Sequence, residues 1–482
     1  MKIASLSAGT VLIAATAMAS AQWTVVNLHP PGAGSSEAYS VHDGQQVGIA
    51  STGFDRASLW TGTAESWVDL TPTGTSFAVA AGVQGGQQVG ISYTALGRAS
   101  LWSGSAESWI DLNPPGATYS VAWAVGDGQQ VGVATVLDIG RASLWSGTAD
   151  SWVDLNPAGA GGSTAFGAHG GQQVGSAGVA GVARASLWSG TAASWVDLAP
   201  AGATYSVAWA IGDGQQVGEA VFGGDTHASL WTGTAVSWVD LQPPGRTASR
   251  AYGVAGGRQV GSVFAANSQN HASLWGGSAA SWVDLHAYLP SGFTSSEARG
   301  IWTNGATTYI VGYGFNSTTG RNEALMWVNH CGIGILSQPA ATEVTPCHPA
   351  VFSVETTSAN PVNYRWRRNG ANLNNNARIS GVTTDTLTIS PAGYFLAGNY
   401  DVVVTNTCGS VTSTTAQLTL LDPADFDGDG DSGTDIDIEA FFECLGGACC
   451  AACGSPDLDG DGDIGTDLDI ETLFRVLGGG PC

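Results

Sequence analysis

Apolar positions along the chain fall into short, evenly spaced clusters and not into long helical stripes. The run ASLW recurs with its Trp at Trp60, Trp102, Trp145, Trp188, Trp231 and Trp275, and a related ALMW ends at Trp327. A Val-Gly step precedes each, at Val47, Val89, Val131, Val174, Val217, Val260 and Val311. Both series advance by 42 to 44 residues until a longer final unit, and a fixed period of roughly 20–50 residues marks a repeat architecture. After each of the first six comes SWVDL or SWIDL, with Trp67, Trp109, Trp152, Trp195, Trp238 and Trp282. The third repeat holds four segments, ATYSVAWAV, QQVGVA, ASLW and SWVDL. They alternate or bunch apolar residues between Gly, Asp, Ser and Pro, which is strand-and-turn grammar.

Four strands in a repeat of this length make one propeller blade. Seven ASLW-type strands meet only six of the SWVDL type, and WTVVNL, starting at Trp23 before a PPG turn, supplies the missing partner. The expectation is a mainly β chain with a seven-bladed β-propeller over residues 22–330. Its amino-terminal strand would complete the last blade and leave no exposed edge. The rival, an open solenoid, would need capping segments, and none is evident in the sequence.

The repeat resembles the HAF family of bacterial extracellular repeats, whose units combine a G-Q-V-V-G-like step with H-A-F-L-W and a following D-L. HASLW at His227 and His271 comes closest, while other copies carry RASLW at Arg56, Arg98, Arg141 and Arg184. The resemblance implies an extracellular propeller-like domain and no defined activity.

The aspartates of the SWVDL strands (Asp69, Asp111, Asp154, Asp197, Asp240, Asp284) invite a carboxylate-pair reading for glycoside hydrolysis. Their strict period favours a plainer role, acceptance of hydrogen bonds from turn amides, because catalytic residues usually break a repeat. His227 and His271 alternate with Arg at one repeat position and share that framework role. The repeated Trp read as packing between blades. Trp123 and Trp209, both in SVAWA(V/I)GDGQQ, fall outside the period and are the candidates for a ligand-binding face. An enzyme would show a non-periodic cluster of Asp, Glu, His or Tyr, and the sequence offers only scattered exceptions such as Asp138, Glu219 and Asp225.

Residues 331–421 turn to Thr, Asn and Val. AVFSVE, NYRWRRNG, TLTISP, GNYDVVVTN and VTSTTAQLTL read as strands of a small β-sandwich. Trp366 takes the place of the buried strand-C Trp, and Tyr400 stands two residues before Val402, at tyrosine-corner spacing. The segment resembles a bacterial immunoglobulin-like domain. Phe352 and Val402 occupy the positions of the usual inter-sheet Cys pair, while Cys347 and Cys408 lie just outside those strands. A disulfide between these two is expected, worth about 2–4 kcal/mol.

The last 61 residues contain a duplication, DFDGDGDSGTDIDIEAFFECL from Asp425 and DLDGDGDIGTDLDIETLFRVL from Asp457. Alternating carboxylates around a Gly are what a hard, oxygen-seeking cation such as calcium requires. The ligand candidates are Asp425, Asp427, Asp429, Asp431, Asp435 and Asp437 in the first copy. Asp457, Asp459, Asp461, Asp463, Asp467 and Asp469 repeat them. Ile438, Phe441, Phe442 and Leu445, matched by Ile470, Leu473, Phe474 and Leu477, share one face of a following helix. Two loop-helix units resemble a dockerin, and CLGGACCAAC with the closing GGGPC resembles the Cys-containing (GC-type) variety of planctomycete-type bacteria. The resemblance implies a small α-helical module over residues 422–482, two calcium ions and a cohesin-like or other surface anchoring partner. Each loop is one residue longer than the usual twelve, so Asp435 and Asp437, like Asp467 and Asp469, flank the twelfth ligand position and both remain candidates.

Composition sharpens this reading. The chain has 482 residues with 39 acidic and 15 basic, for a net charge of -24. Apolar residues at 43% exclude general disorder, and so few Lys and Arg argue against nucleic acid or anionic lipid as partner. The acidity is local, since residues 422–482 hold 16 acidic groups against Arg475 alone. Lys2, the apolar run Val11 to Ala19 and the small Ala19-Ser20-Ala21 read as a signal peptide over residues 1–21. An exported protein, associated with the cell surface and with its Cys in disulfides, is therefore expected. It is expected to be non-catalytic, with a ligand face on the repeats. The competing class is a polysaccharide-degrading hydrolase or lyase with its site there.

Overall fold

The structure is a computed structural model describing residues 23–265, 269–330, 333–344, 348–358, 362–406, 409–422, 425–450, 453, 455–458 and 461–477. The expected signal peptide, the Cys347–Cys408 disulfide and Asp459 lie outside the described residues. No described helix is long and apolar enough to cross a membrane. The chain divides into two compact units, the first being Trp23–His330.

That unit consists of seven four-stranded antiparallel sheets in tandem. The first is Ser35–His42, Gln45–Ser51, Asp55–Trp60 and the two-residue Val68–Asp69. The seventh takes Phe293–Thr303, Thr307–Asn316 and Arg321–His330, and its fourth strand is Thr24–Asn27 from the start of the chain. Thr24 pairs with Val328 and Asn27 with Leu325.

Apolar periodicity becomes packing between sheets. The Trp of each ASLW run is buried against the preceding sheet, Trp102 among Val47, Leu59 and Leu70, Trp145 among Val89, Leu101 and Leu112. Trp60 packs in the same way against Val311, Ala324 and Met326 of the seventh sheet, so the first and last sheets are also neighbours. Polar rungs accompany this core. The Gln88 amide donates to Gln45 of the preceding sheet at 3.1 Å, and its own oxygen accepts the Gly104 amide at 2.7 Å.

The fold class expected from the sequence, a seven-bladed β-propeller, is corrected. The chain is mainly β and built from many separate four-stranded antiparallel sheets, with no closed propeller sheet and only two short helices among the described residues. Ladder pairing ends at the edges of each sheet, and apart from an isolated Thr226–Ala248 bridge the contacts described between successive sheets involve side chains. The physical reason for the error is that a four-strand period reports local pairing. It does not fix how successive sheets are disposed.

The second unit holds a β-sandwich and the acidic tail. One sheet runs Thr342–Val344, Ala416–Leu420, Gly398–Asn406, Asn363–Arg368 and Ala371–Asn372, and the other joins Ala350–Ser353, Thr386–Ile389 and Ile379–Ser380. Phe352, Trp366, Tyr400 and Val402 are buried between them. Where a disulfide would cross such a core, the Phe352 ring stands 4.9 Å from Tyr400 and 6.2 Å from Trp366. The Tyr400 hydroxyl donates to the Leu396 carbonyl at 2.6 Å, as its spacing predicts.

In the tail, helices Asp435–Leu445 and Asp467–Leu477 share a core of Phe426, Phe441, Cys444, Leu458 and Leu473. The predicted apolar faces are divided, since Phe441 and Leu473 are buried while Phe442 and Phe474 are exposed. Disulfides Cys444–Cys449 and Cys450–Cys453 pin the segment after the first helix.

Candidate functional site

The inner strand of every repeat sheet carries a β-bulge. The register slips between Ala38 and Ser40, Ala80 and Gly82, Ala122 and Ala124, and Ala165 and Gly167. It does so again between Ala208 and Ala210, Ala251 and Gly253, and Ala298 and Gly300. A bulge inserts one extra residue and re-aims its side chain. The Val-Gly step has its cause here. At Gly48, Gly90 and Gly132 an added Cβ would overlap the carbonyl oxygens of Glu37, Val79 and Val121, so only glycine fits beside the bulge.

The residue after each bulge is small for a similar reason. A Cβ at Gly82 would come within 2.9 Å of the Ala124 Cα, and one at Gly300 within 3.0 Å of the Ser40 Cα. Inner strands thus approach closely and converge on one cavity of about 200 Å³, lined from all seven sheets. The bulge residues rim it, and their identity changes from repeat to repeat: Tyr39, Ala81, Trp123, Phe166, Trp209, Tyr252 and Arg299. Trp123 and Trp209, predicted as a ligand face, are both in this rim, and Trp123 is 37% exposed. The other five were missed. The legible signal was the frame Ala-x-small-aliphatic, in which x changes class from copy to copy while the Ala before it is constant and the residue after it stays small.

Four aromatic rings form an arc, with centroids 6.1 Å apart for Trp123 and Phe166, 4.5 Å for Phe166 and Trp209, and 6.3 Å for Trp209 and Tyr252. Arg299 ends the arc, its guanidinium 4.3 Å above the Tyr252 ring and 3.2 Å from the Tyr313 hydroxyl. Glu297 pairs with Arg299 at 2.7 Å and accepts from Asn270 at 2.8 Å. Glu37 accepts from Tyr39 at 2.9 Å and Asn322 at 2.8 Å, while Glu219 pairs with Arg250 at 2.7 Å.

Burial raises the Glu219 carboxyl above its ordinary value, with Arg250 opposing. It pushes the Tyr313 hydroxyl up to about 12 against the pull of Arg299, and raises Tyr252 as well, helped by Glu297. Burial alone would lower Arg299, but Glu297 and the two tyrosines more than offset it. Of the scattered acids, Glu219 joins this network, while Asp138 lies in a turn at φ 61° and Asp225 begins the third strand of the fifth sheet.

The periodic Asp and His are framework. Arg56 and Asp69 pair at 3.0 Å, Arg141 and Asp154 at 2.6 Å, and His227 and Asp240 at 2.9 Å. The second oxygen of each Asp caps a turn, as Asp154 accepts the Asn156 amide at 2.8 Å.

In the tail, carboxylate oxygens of Asp425, Asp427 and Asp429 all lie within 4.8 Å of one another. Asp425 accepts the Gly430 amide at 3.2 Å and Asp429 the Asp431 amide at 2.8 Å, which bends the loop around the three. Burial, then the neighbouring Asp429, Asp437 and Asp425 carboxylates, raise Asp427, while an Asp429 hydrogen bond opposes. An all-oxygen acidic cluster on a glycine turn fits calcium. In the second loop Asp457 accepts the Gly462 amide at 3.1 Å and Asp461 the Asp463 amide at 2.8 Å. Asp435 and Asp467 begin the two helices and are exposed. Asp437 and Asp469 are buried and accept hydrogen bonds from the loop itself.

Residues 334–420 match the family model of the immunoglobulin I-set domain. Among solved structures, the titin M4 domain is 22% identical, covering 19% of this chain and 97% of its own, with a TM-score of 0.18. Sidekick-1 immunoglobulin domains 1–5 are 23% identical, covering 24% of this chain and 25% of that one, with a TM-score of 0.18. The twitchin kinase region from C. elegans is 20% identical over 18% of this chain and 16% of its own, with a TM-score of 0.17. No curated protein matches the chain. These findings support an immunoglobulin-like domain within a mainly β chain. The matched span lies outside both the repeats and the acidic tail. It carries neither the β-propeller, which is dropped, nor the HAF repeat and dockerin expected from sequence.

Proposed function

We propose that the chain is an exported binding protein, not an enzyme, whose repeat sheets hold a ligand in the central cavity while the acidic tail tethers it to a surface. The observation that carries this reading is the rim itself. Seven equivalent positions bear unequal side chains, with Trp123 and Trp209 offered to a glycan or protein ligand, on a scaffold whose glycine, alanine and tryptophan packing positions repeat. Variable side chains gathered at one cavity on a repeated framework are the mark of a binding face on a rigid support.

The tail supports the second half. Asp425, Asp427 and Asp429, with Asp457 and Asp461 in the second copy, would hold two calcium ions. When bound, calcium neutralises carboxylates that otherwise repel one another and couples ion binding to folding. Phe442 and Phe474, at equivalent places in the two helices, are 44% and 54% exposed and suit contact with a cohesin-like or other anchoring protein. The immunoglobulin-like domain serves as spacer or as a further protein-binding module.

One observation favours a second reading, a polysaccharide-degrading enzyme: Tyr39 and Tyr252 line the cavity, Glu37, Glu297 and Tyr313 are bonded to its lining residues Tyr39 and Arg299, and Glu219 pairs with Arg250 two residues before Tyr252. Each of those carboxylates is held by Arg, Asn or Tyr, which suits a fixed recognition network. Two measurements test the proposal. Calorimetry and circular dichroism with calcium and then chelator should show a calcium-linked gain of helix, and a glycan array run beside hydrolase and lyase assays should show binding without turnover. Turnover of any polysaccharide would reverse the ranking.

A further inference from the structure

A ligand class can be assigned to the cavity provided that it is a binding site, as proposed. Trp123 and Phe166 stand across it from Arg299, and the arc runs on through Trp209 to Tyr252, where it meets the charged network. In the succession of sheets Arg299 is three sheets from Trp123 in one direction and three from Phe166 in the other, the first and seventh sheets being neighbours. Ala81 carries no bulk at the rim, so the space across from Trp209 and Tyr252 stays open.

Charge discriminates among ligands. Arg299 is matched by Glu297 at 2.7 Å and Arg250 by Glu219 at 2.7 Å. With Glu37 added, three carboxylates face two guanidinium groups, so an anion finds no free positive charge. A quaternary cation would suit an aromatic cage, but Arg299 already occupies the face of Tyr252 at 4.3 Å and repels a second cation. What suits both sides is an uncharged ring with a flat C–H face for the aromatic arc and hydroxyl groups for the polar edge. Arg299 donors, held in place by Glu297 and Tyr313, and the Tyr39 hydroxyl, held by Glu37, form that edge. A cavity of about 200 Å³ admits one such ring, whereas drug-sized ligands occupy roughly 300–1,000 Å³.

We infer that the cavity binds a single neutral pyranose, free or as the terminal sugar of a glycan, stacked on Trp123, Phe166 and Trp209 and hydrogen-bonded by Arg299 and Tyr39. Stacking is sequence-tolerant among neutral sugars, so selectivity among them lies with the polar edge.

The test uses the full chain. Methyl gluco-, galacto- and mannopyranosides, neutral oligosaccharides ending in the same sugars, glucuronate and choline are titrated by calorimetry and by saturation-transfer NMR. A neutral pyranoside should bind, and glucuronate and choline should bind at least about tenfold more weakly, a difference of about 1.4 kcal/mol. Ala81→Trp places in the second sheet a residue that two other sheets already carry there, so the fold tolerates it while the cavity fills. It should abolish binding. Trp123→Ala, at an exposed position, should weaken it about tenfold. Oligosaccharides that bind where free pyranosides do not assign the terminal-sugar form. Preference for glucuronate or choline that Ala81→Trp still blocks overturns the neutral-sugar class and leaves the cavity as the site. Binding unaffected by Ala81→Trp overturns the cavity reading itself. If none of these probes binds the folded chain, the sugar inference falls, while a protein ligand remains measurable.

Discussion

Gly132 lies beside Val121 so closely that the Val121 carbonyl oxygen takes the space a β-carbon would need. Gly132 pairs with Ala122, and the bulge at Trp123 follows immediately. The Val-Gly step that marks the repeat in sequence is therefore the counterpart of the bulge that aims a side chain into the cavity. Gly132→Ala should cost about 1–3 kcal/mol, the usual range for overpacking. Gly178→Ala, where the nearest atom is a carbonyl oxygen at 3.5 Å, should cost no more than about 0.5 kcal/mol. Urea midpoints of the two variants compare them directly, and equal losses would remove the steric account.

The Arg–Asp pairs of the repeats contribute less than their regularity suggests. Arg141 and Asp154 approach to 2.6 Å, yet their side chains are 23% and 32% exposed. Arg141→Met should cost at most about 1 kcal/mol, as for other partly solvated pairs. Trp152→Phe removes a bond from the indole nitrogen to the Ser143 hydroxyl at 2.8 Å, for about 0.5–1.5 kcal/mol, plus the loss of indole packing. Denaturation should rank Trp152→Phe as the more damaging change. The reverse order would mean the ion pair is better shielded than its exposure indicates.

Acid should weaken the repeat unit before it reaches the carboxylates. Burial, then the His271 ring stacked at 4.1 Å, lower His286 below 6.5, with Asp284 opposing. Burial also lowers His29 and His42. A His with a depressed value is neutral in the fold and protonated more readily when unfolded, so stability falls as pH drops below about 6.5 toward each folded value. The thermal midpoint should therefore decline between about pH 7 and pH 5, and His286→Asn should remove part of that slope. An unchanged midpoint over this window would show that the buried rings titrate normally.

Strands, turns and the immunoglobulin-like core were legible because each leaves a local mark, such as the ASLW run or the spacing of Tyr400 to Val402. Pairing of Thr24–Asn27 with Arg321–His330 was legible from a missing SWVDL. Overall disposition was not, since periodic patterning records which strands pair and says nothing of how separate sheets stand to one another. The rim was legible at two of its seven positions. Trp123 and Trp209 drew notice because they stand outside the repeated Trp series, whereas Tyr39, Phe166, Tyr252 and Arg299 are inconspicuous until the bulge puts them at one level. Glu219 looked like a stray acid because its partner Arg250 is a strand of the next sheet away. The tail carboxylates were plain, but their division of labour depends on hydrogen bonds that spacing does not encode.

That division yields a prediction about Asp437 and Asp429. One Asp437 oxygen accepts the Phe426 amide at 2.7 Å and the Asp427 amide at 3.3 Å, and the other accepts the Thr434 amide at 2.8 Å and hydroxyl at 2.9 Å. Burial would raise this carboxyl, but those bonds outweigh it and hold it below its ordinary value. Asp469 repeats the arrangement with Leu458, Gly465 and Thr466. With its acceptor sites engaged, Asp437 closes the loop onto its helix, and under the proposed calcium reading Asp429, in the three-carboxylate cluster, is the ligand of the two. Asp437→Asn turns an amide toward backbone donors, so helix content should fall by a similar fraction in calcium and in chelator. Asp429→Ala should leave the chelator state unchanged and weaken calcium binding at least about tenfold, or about 1.4 kcal/mol. Circular dichroism with calorimetric titration separates the two. An Asp437→Asn defect seen only in calcium would show that Asp437 exchanges its loop hydrogen bonds for the ion.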